Sequence, residues 1–331
     1  MDSQPTNAWR LCVAPMMDWT DRHCRYFHRL LSPRARLYTE MVTAAALVRG
    51  DRKHLLAYNR EERPVALQLG GADPVELAQA ARHGEQAGYD EINLNVGCPS
   101  DRVQSGRFGA CLMREPELVA DCVRAMRETV RVPVTVKCRI GVDDQDDDKD
   151  LFAFAGRMMD AGVRILVVHA RKAWLQGLSP KQNREVPPLN YPRVYRLKQE
   201  FPALRVIING GIDGRSAVEG HLRHVDGVML GRLAYHDPYA LARIDAALHG
   251  GEAPAREAVL RAMRPYIDAE RERGVRLASI TRHLLGLYHG EPGGKAFRRV
   301  LSERARVDGA GWEAVEAALA QVGGPAVRAM A

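Results

Sequence analysis

Cys98 stands in the stretch Glu91-Ile92-Asn93-Leu94-Asn95-Val96-Gly97-Cys98-Pro99-Ser100, where a short alternating strand meets Gly97 and Pro99 and must stop. The thiol is therefore displayed on a turn instead of being packed by default. With an ordinary pKa of about 8.5, a free thiol is mostly protonated near neutral pH, so it can donate a proton as readily as attack once deprotonated. Other apolar runs also end in polar groups or glycine: Pro15 then Met16-Met17-Asp18, Gln68, Lys137 with Arg139, His169, Asn209-Gly210-Gly211 and Gly231-Arg232. Singly, each has a bland explanation, since a buried Gln or His can be a satisfied core group and a lysine can snorkel to solvent. Their coincidence at successive run ends points to one site. The glycines after the last two runs would let a phosphate approach backbone N–H groups, with Arg232 or a backbone amide as a charge partner; a tight turn with no ligand is the plain alternative.

The elements that must hold these groups follow from the pattern. Apolar runs at Leu11-Cys12-Val13-Ala14-Pro15, Leu37-Tyr38-Thr39, Val65 to Leu69, Ile92 to Asn95, Val134 to Lys137, Ile165 to His169, Val206 to Asn209 and Val228 to Leu230 make eight strands. Helices fit between them. Asp73-Pro74-Val75-Glu76 reads as an N-cap with proline in the first turn, heading a helix to about Gly88, and Glu115-Pro116-Glu117 opens another through Val130. Eight strand–helix units predict a (β/α)8 barrel, with an open doubly wound sheet as the competing architecture. In a barrel the C-terminal strand ends converge on one mouth, which gathers the polar groups named above.

After about residue 245 the pattern becomes helical throughout, so the expected domains are a barrel over 1–244 and an all-helical domain over 245–331. Residues 256–306 hold twelve Lys or Arg against six Asp or Glu, a surplus of six, while the whole chain carries +7. Such a segregated basic surface fits a polyanion partner; a solvated helix face is the plain alternative. Six cysteines without a CxxC pair fit reduced thiols, and no metal site is suggested. A polar start and the lack of a long apolar run predict a soluble cytoplasmic protein, with a monomer expected. The acidic run Asp143 to Asp150 does not match a calcium loop and reads as a solvated loop that caps the next helix. The connection from Arg171 to Tyr191 is too long for a routine barrel loop, and its Lys172, Lys181 and Arg184 could touch phosphates.

Ala14-Pro15-Met16-Met17-Asp18-Trp19-Thr20-Asp21, Asn93 to Ser100, and Asn209-Gly210-Gly211-Ile212 with Gly231-Arg232 together resemble the tRNA-dihydrouridine synthases. Asp21 to Phe27, Tyr38 to Thr43 and His169 to Leu175 look like the DusA subgroup, which acts on uridines 20 and 20a of the D-loop. The resemblance implies an FMN-bound barrel followed by a helical tRNA-binding domain, with NADPH as reductant. It makes Cys98 the catalytic acid and puts Pro15, Met16, Met17, Gln68, Lys137 and His169 around the flavin. Asn209, Gly210, Gly211, Gly231 and Arg232 would hold its phosphate, and Asn95 would face the uracil. Lys181, Arg184, Lys295 and Arg298 would contact tRNA. Two other readings stand beside it: a dihydroorotate- or dihydropyrimidine-type flavoprotein acting on a free pyrimidine, and a non-catalytic tRNA-binding factor.

Overall fold

The computed structural model describes residues 8–100, 106–145 and 148–322. Its strands are β1 (Leu11–Val13), β2 (Leu37–Thr43), β3 (Val65–Gly70), β4 (Glu91–Val96), β5 (Val134–Arg139), β6 (Ile165–His169), β7 (Arg205–Asn209) and β8 (Gly227–Leu230). They pair in parallel in the order β1-β8-β7-β6-β5-β4-β3-β2. Arg36 closes the ring: its N–H donates to Leu11 O and its carbonyl accepts from Val13 N, each at 2.9 Å. Closure joins the two edges an open sheet would expose, so the chain forms a (β/α)8 barrel and the doubly wound alternative falls.

Each expected apolar run coincides with a strand, although β1 stops at Val13, before the Ala14-Pro15 end of its run. β2 continues to Thr43, past the expected stop at Thr39, across a register shift between Tyr38 and Met41 that absorbs the polar Thr39-Glu40 pair. The helix Pro74–Gln86 starts as its sequence predicts, with Asp73 accepting from Val75 N at 2.8 Å and Glu76 N at 2.9 Å. It ends before Gly88, whose φ of +96° suits glycine. The helix Pro116–Thr129 also carries proline in its first turn, but Glu115 makes no side-chain cap.

The lower half of the barrel interior is unusual in holding a buried ion pair. Arg36 and Glu91 are both fully buried, 3.2 Å apart, among Trp9, Cys12, Tyr38 and Ala66. Glu91 also accepts from Trp9 Nε1 at 2.7 Å, Tyr38 OH at 2.8 Å and Thr135 Oγ1 at 2.5 Å. A buried carboxylate is tolerable only when its lone pairs are met in this way.

Packing divides the chain differently from the expected 244/245 boundary. One unit comprises residues up to Asp18 with Ala35–Gly231, and the other comprises Trp19–Arg34 with the chain from Arg232 onward. The helix Arg22–Leu31, which follows β1 in sequence, belongs to the second unit for a physical reason. Its Phe27 and Leu31 join Leu260, Met263, Ile267, Phe297, Leu301 and Val315 in one buried apolar cluster. Its cap, Asp21, also pairs with Arg282 at 2.6 Å and His283 at 3.0 Å, and Arg22 pairs with Glu270.

Within the helical unit much of the basic surplus is neutralised locally. Arg256 pairs with Glu291, Arg261 with Glu257, and Arg273 with Glu270. By contrast Lys295, Arg298 and Arg299, spaced to share one face of the helix Gly294–Arg304, are exposed and enter no ion pair among the described residues. The acidic run is partly structural. Arg114 pairs with Asp143 and Asp144, while Asp148 begins the helix Asp148–Asp160 and pairs with Arg193 and Arg196. Asp146 and Asp147 lie outside the described residues, as does the stretch from Gly323 onward. Among the described residues no helix is long and apolar enough to cross a membrane, and no group of His, Cys, Asp or Glu is arranged to hold a metal.

Candidate active site

Strand register gathers the expected residues at one end of the barrel. Gln68 lies opposite Asn93, Asn95 opposite Lys137, Arg139 opposite His169, and His169 opposite Asn209. A side chain on every second residue faces the interior, so each strand delivers its last inward residue to the rim. The result is a polar collar over the apolar layer of Ala66, Val167, Ile207 and Met229.

Cys98 lies beyond the end of β4, half-buried, with Sγ 3.5 Å from Ser100 Oγ. The turn that presents it is fastened from several directions. Asn95 Oδ1 accepts from both Gly97 N and Cys98 N at 3.0 Å, and the Cys98 carbonyl accepts from Ala110 N at 2.9 Å. Arg139 adds a third tie, its Nε donating to Gly97 O at 2.9 Å. The same guanidinium donates to Asn183 O at 2.9 Å and Lys172 O at 3.2 Å, so it fixes the Cys98 turn to the long loop after β6. Sequence reasoning noticed Arg139 only as a strand end and gave it no role.

That long loop is built around another residue the sequence did not single out. Asn183 is fully buried; its Oδ1 accepts from Trp174 N at 2.8 Å and its Nδ2 donates to Trp174 O and Leu178 O at 2.9 and 3.1 Å. Lys181 and Arg184 flank it and are exposed. Trp174 is 42% exposed, with Lys172 Nζ 4.8 Å from its ring centre.

The electrostatics of the collar are one-sided. Burial, and then the charge of Arg139, holds Lys137 down to about 8. Burial likewise holds His169 well below the usual imidazole range, reinforced by the positive fields of Arg139, Lys137, Arg171 and Arg184. His169 is therefore a neutral imidazole, able to donate from one ring nitrogen and accept at the other. A mouth where several cations act on one another suits an anionic guest.

The remaining expected residues have distinct settings. Pro15 and Met16 are half-buried just after β1, and Met17 is 56% exposed. Asn209 uses Nδ2 to hold Met229 O at 2.8 Å, bridging β7 to β8. Gly210 has φ +108°, and a Cβ there would lie 2.4 Å from His169 Cδ2, so only glycine lets the chain pass this close to the imidazole. Gly211 is also left-handed, at φ +66°, while Gly231 faces open space. Arg232 begins the helix Arg232–His236 and is exposed; it falls in the helical unit, as do Lys295 and Arg298.

Comparison with known proteins bears on the family and the fold. The family model for dihydrouridine synthases matches residues 12–322. The tRNA-dihydrouridine(20/20a) synthase of Xanthomonas campestris pv. campestris is 62% identical over 309 residues, covering 93% of this chain and 92% of that protein. The protein of the same name from Vibrio cholerae serotype O1 is 56% identical over 320 residues, covering 96% of this chain and 98% of that one. Among solved structures, a 2-naphthoyl-CoA reductase in complex with 2-naphthoyl-CoA superimposes with a TM-score of 0.53 at 9% identity. That match covers 73% of this chain and half the length of the reductase chain, and it speaks to the fold alone. A polar collar around a turn-mounted cysteine, on a barrel matched almost from end to end, leads to one conclusion: the chain belongs to the dihydrouridine synthase family.

Proposed function

We propose that the protein reduces uridine to 5,6-dihydrouridine at positions 20 and 20a of tRNA, using FMN re-reduced by NADPH. The observation that carries the reading is Cys98, half-exposed on a turn tied to the collar by Asn95 and Arg139, in a chain sharing 62% identity with a synthase of that name.

The collar fits a flavin phosphate because its interacting groups are cationic and its glycines permit close backbone approach. Asn209, Gly210, Gly211 and Gly231, followed by Arg232, would receive the phosphate. Gln68, Lys137 and His169 would meet the ring edge, with Pro15, Met16 and Met17 against its face. When bound, FMN supplies the hydride for uracil C6. The C5–C6 bond is conjugated with the C4 carbonyl, so hydride addition places negative charge on the carbonyl oxygen and requires a proton at C5. Cys98 holds that proton on Sγ. Asn95 would orient the uracil, and the cationic collar would favour the developing charge. Lys137, half-buried and in register with Asn95, would contribute positive charge there.

A base in a folded loop must leave its stack to reach the collar, at a cost of a few kcal/mol. Phosphate contacts by Lys181, Arg184, Lys295 and Arg298 would offset that cost. The test is to purify the protein, record its visible spectrum, and map dihydrouridine in tRNA from cells lacking the gene. Flavin absorbance, with loss of dihydrouridine at 20 and 20a only, supports the reading. Flavin with unaltered tRNA favours a free-pyrimidine substrate, and a colourless protein that binds tRNA favours a non-catalytic factor.

A further inference from the structure

From the collar, a line of side-chain hydrogen bonds descends through the barrel to the buried ion pair at the opposite end. Asn95 Nδ2 donates to Gln68 Oε1 at 2.9 Å, Gln68 Nε2 to Asn93 Oδ1 at 2.8 Å, and Asn93 Nδ2 to Thr135 Oγ1 at 2.7 Å. Thr135 Oγ1 in turn donates to Glu91 Oε1 at 2.5 Å. Every member is buried: Gln68 is 1% exposed, Asn95 8%, and Asn93, Thr135 and Glu91 are fully enclosed.

An amide oxygen and nitrogen are interchangeable by a half-turn, so the sense of such a line must be fixed by its ends. At the lower end Glu91, paired with Arg36 and meeting Trp9 Nε1, can only accept. Thr135 must then donate to Glu91 and accept from Asn93. This forces Asn93 Oδ1 toward Gln68, Gln68 Oε1 toward Asn95, and Asn95 Oδ1 toward the backbone. At the upper end Gly97 N and Cys98 N can only donate, which demands Asn95 Oδ1 there independently. The two ends agree through three amides. An unbroken line of one sense is also cooperatively strengthened, each bond polarising the next.

We propose that Glu91 is a positioning residue for the reacting end of the barrel: through Thr135 and Asn93 its carboxylate selects the amide orientation of Gln68 and Asn95 and holds the Cys98 turn. The proposal rests on Gln68 and Asn95 belonging to the reacting site, as proposed above. It explains why a buried ion pair persists where an apolar layer would pack as well. Tyr38 serves the same end, since burial and Glu91 raise its hydroxyl well above the usual phenol range and keep it a donor.

The test uses the full-length protein as purified with its cofactor. Thr135→Val removes the hydroxyl that joins Glu91 to Asn93 while keeping the side chain's shape; Thr135→Ser keeps the hydroxyl. Hydrogen exchange at the Gly97 and Cys98 amides is expected to quicken about tenfold in Thr135→Val relative to the amides of β1 and β8, which report any loss of global stability, and to return to the wild-type rate in Thr135→Ser. Wild-type rates at both amides in a folded Thr135→Val protein would overturn the proposal. Should Thr135→Val not fold, neutron diffraction of the wild-type protein decides. NH2 groups of Gln68 facing Asn93 and of Asn95 facing Gln68 support the proposal, and either amide reversed refutes it. A protein with those orientations but no flavin or tRNA activity would instead disprove the functional reading and leave the line intact.

Discussion

Glu91→Ala deletes an acceptor on which Arg36, Trp9, Tyr38 and Thr135 converge inside the barrel. Removing one partner of a buried ion pair costs about 3–5 kcal/mol, because the surviving charge is left unsolvated. Orphaning the neutral donors adds about 1–3 kcal/mol each at full burial, and relaxation and coupling within one network reduce the sum. A total near 6 kcal/mol is a large part of the roughly 5–15 kcal/mol that holds a domain together. At about 2–4 °C per kcal/mol for a unit of this size, the melting temperature should fall by about 12–24 °C. The companion is Arg36→Met with Glu91→Leu, which removes both charges. That double variant should regain about 3 kcal/mol, and the residual loss should reflect Trp9, Tyr38 and Thr135 still lacking an acceptor. Urea unfolding at fixed pH, followed by tryptophan fluorescence, measures all three proteins. A Glu91→Ala protein within about 1 kcal/mol of wild type, or a double variant no more stable than the single, would refute this account of the interior.

Lys137 gives a pH signature with a definite sign. Burial holds its folded-state value at about 8, below the unfolded value of about 10.4, so between these the unfolded chain binds more protons and stability rises with pH. The collar meanwhile loses its ammonium, so flavin retention and turnover should decline above about pH 8, by about tenfold per unit once the group is mostly neutral. Lys137→Met should flatten that decline; an identical decline in the variant would assign it to another group. Gly210→Ala would force a Cβ to within 2.4 Å of His169 Cδ2 in a left-handed backbone. It should lower flavin affinity at least about tenfold while the apo-protein melts only a few degrees lower, as equilibrium dialysis and calorimetry would show.

The fold was largely legible because each strand was a short apolar run bounded by polar or glycine residues, and eight such units have one closed solution. The candidate site was legible for the same reason, since polar groups at strand ends can only meet at the mouth. What the pattern concealed was which face of β4 is which. Ile92 and Leu94 marked β4 by alternating with polar neighbours, yet Glu91 and Asn93 are fully buried too, because a barrel strand is covered by helices on one side and interior on the other. A carboxylate and two amides at period two were the available sign of a polar interior line. Residues 19–34 were assigned to the barrel because they follow β1, and sequence order carries no signal that Phe27 and Leu31 pack with Leu260 and Phe297. Arg139 and Asn183 act through backbone carbonyls and amides, which have no sequence pattern. The basic surplus after residue 256 was visible, but its partition was not. Arg256, Arg261 and Arg273 are spent on neighbouring carboxylates, while Lys295, Arg298 and Arg299 are among the exposed cations that enter no ion pair among the described residues.

The central claim is that the Cys98 sulfur supplies the proton that completes uracil reduction. Cys98→Ala, purified alongside wild type, should keep its flavin absorbance and its salt-sensitive affinity for unmodified tRNA, and should form dihydrouridine at least about 100-fold more slowly, the scale of a lost general acid. Dihydrouridine formed at the wild-type rate by Cys98→Ala, measured by mass spectrometry of the digested tRNA under single-turnover conditions, would contradict it.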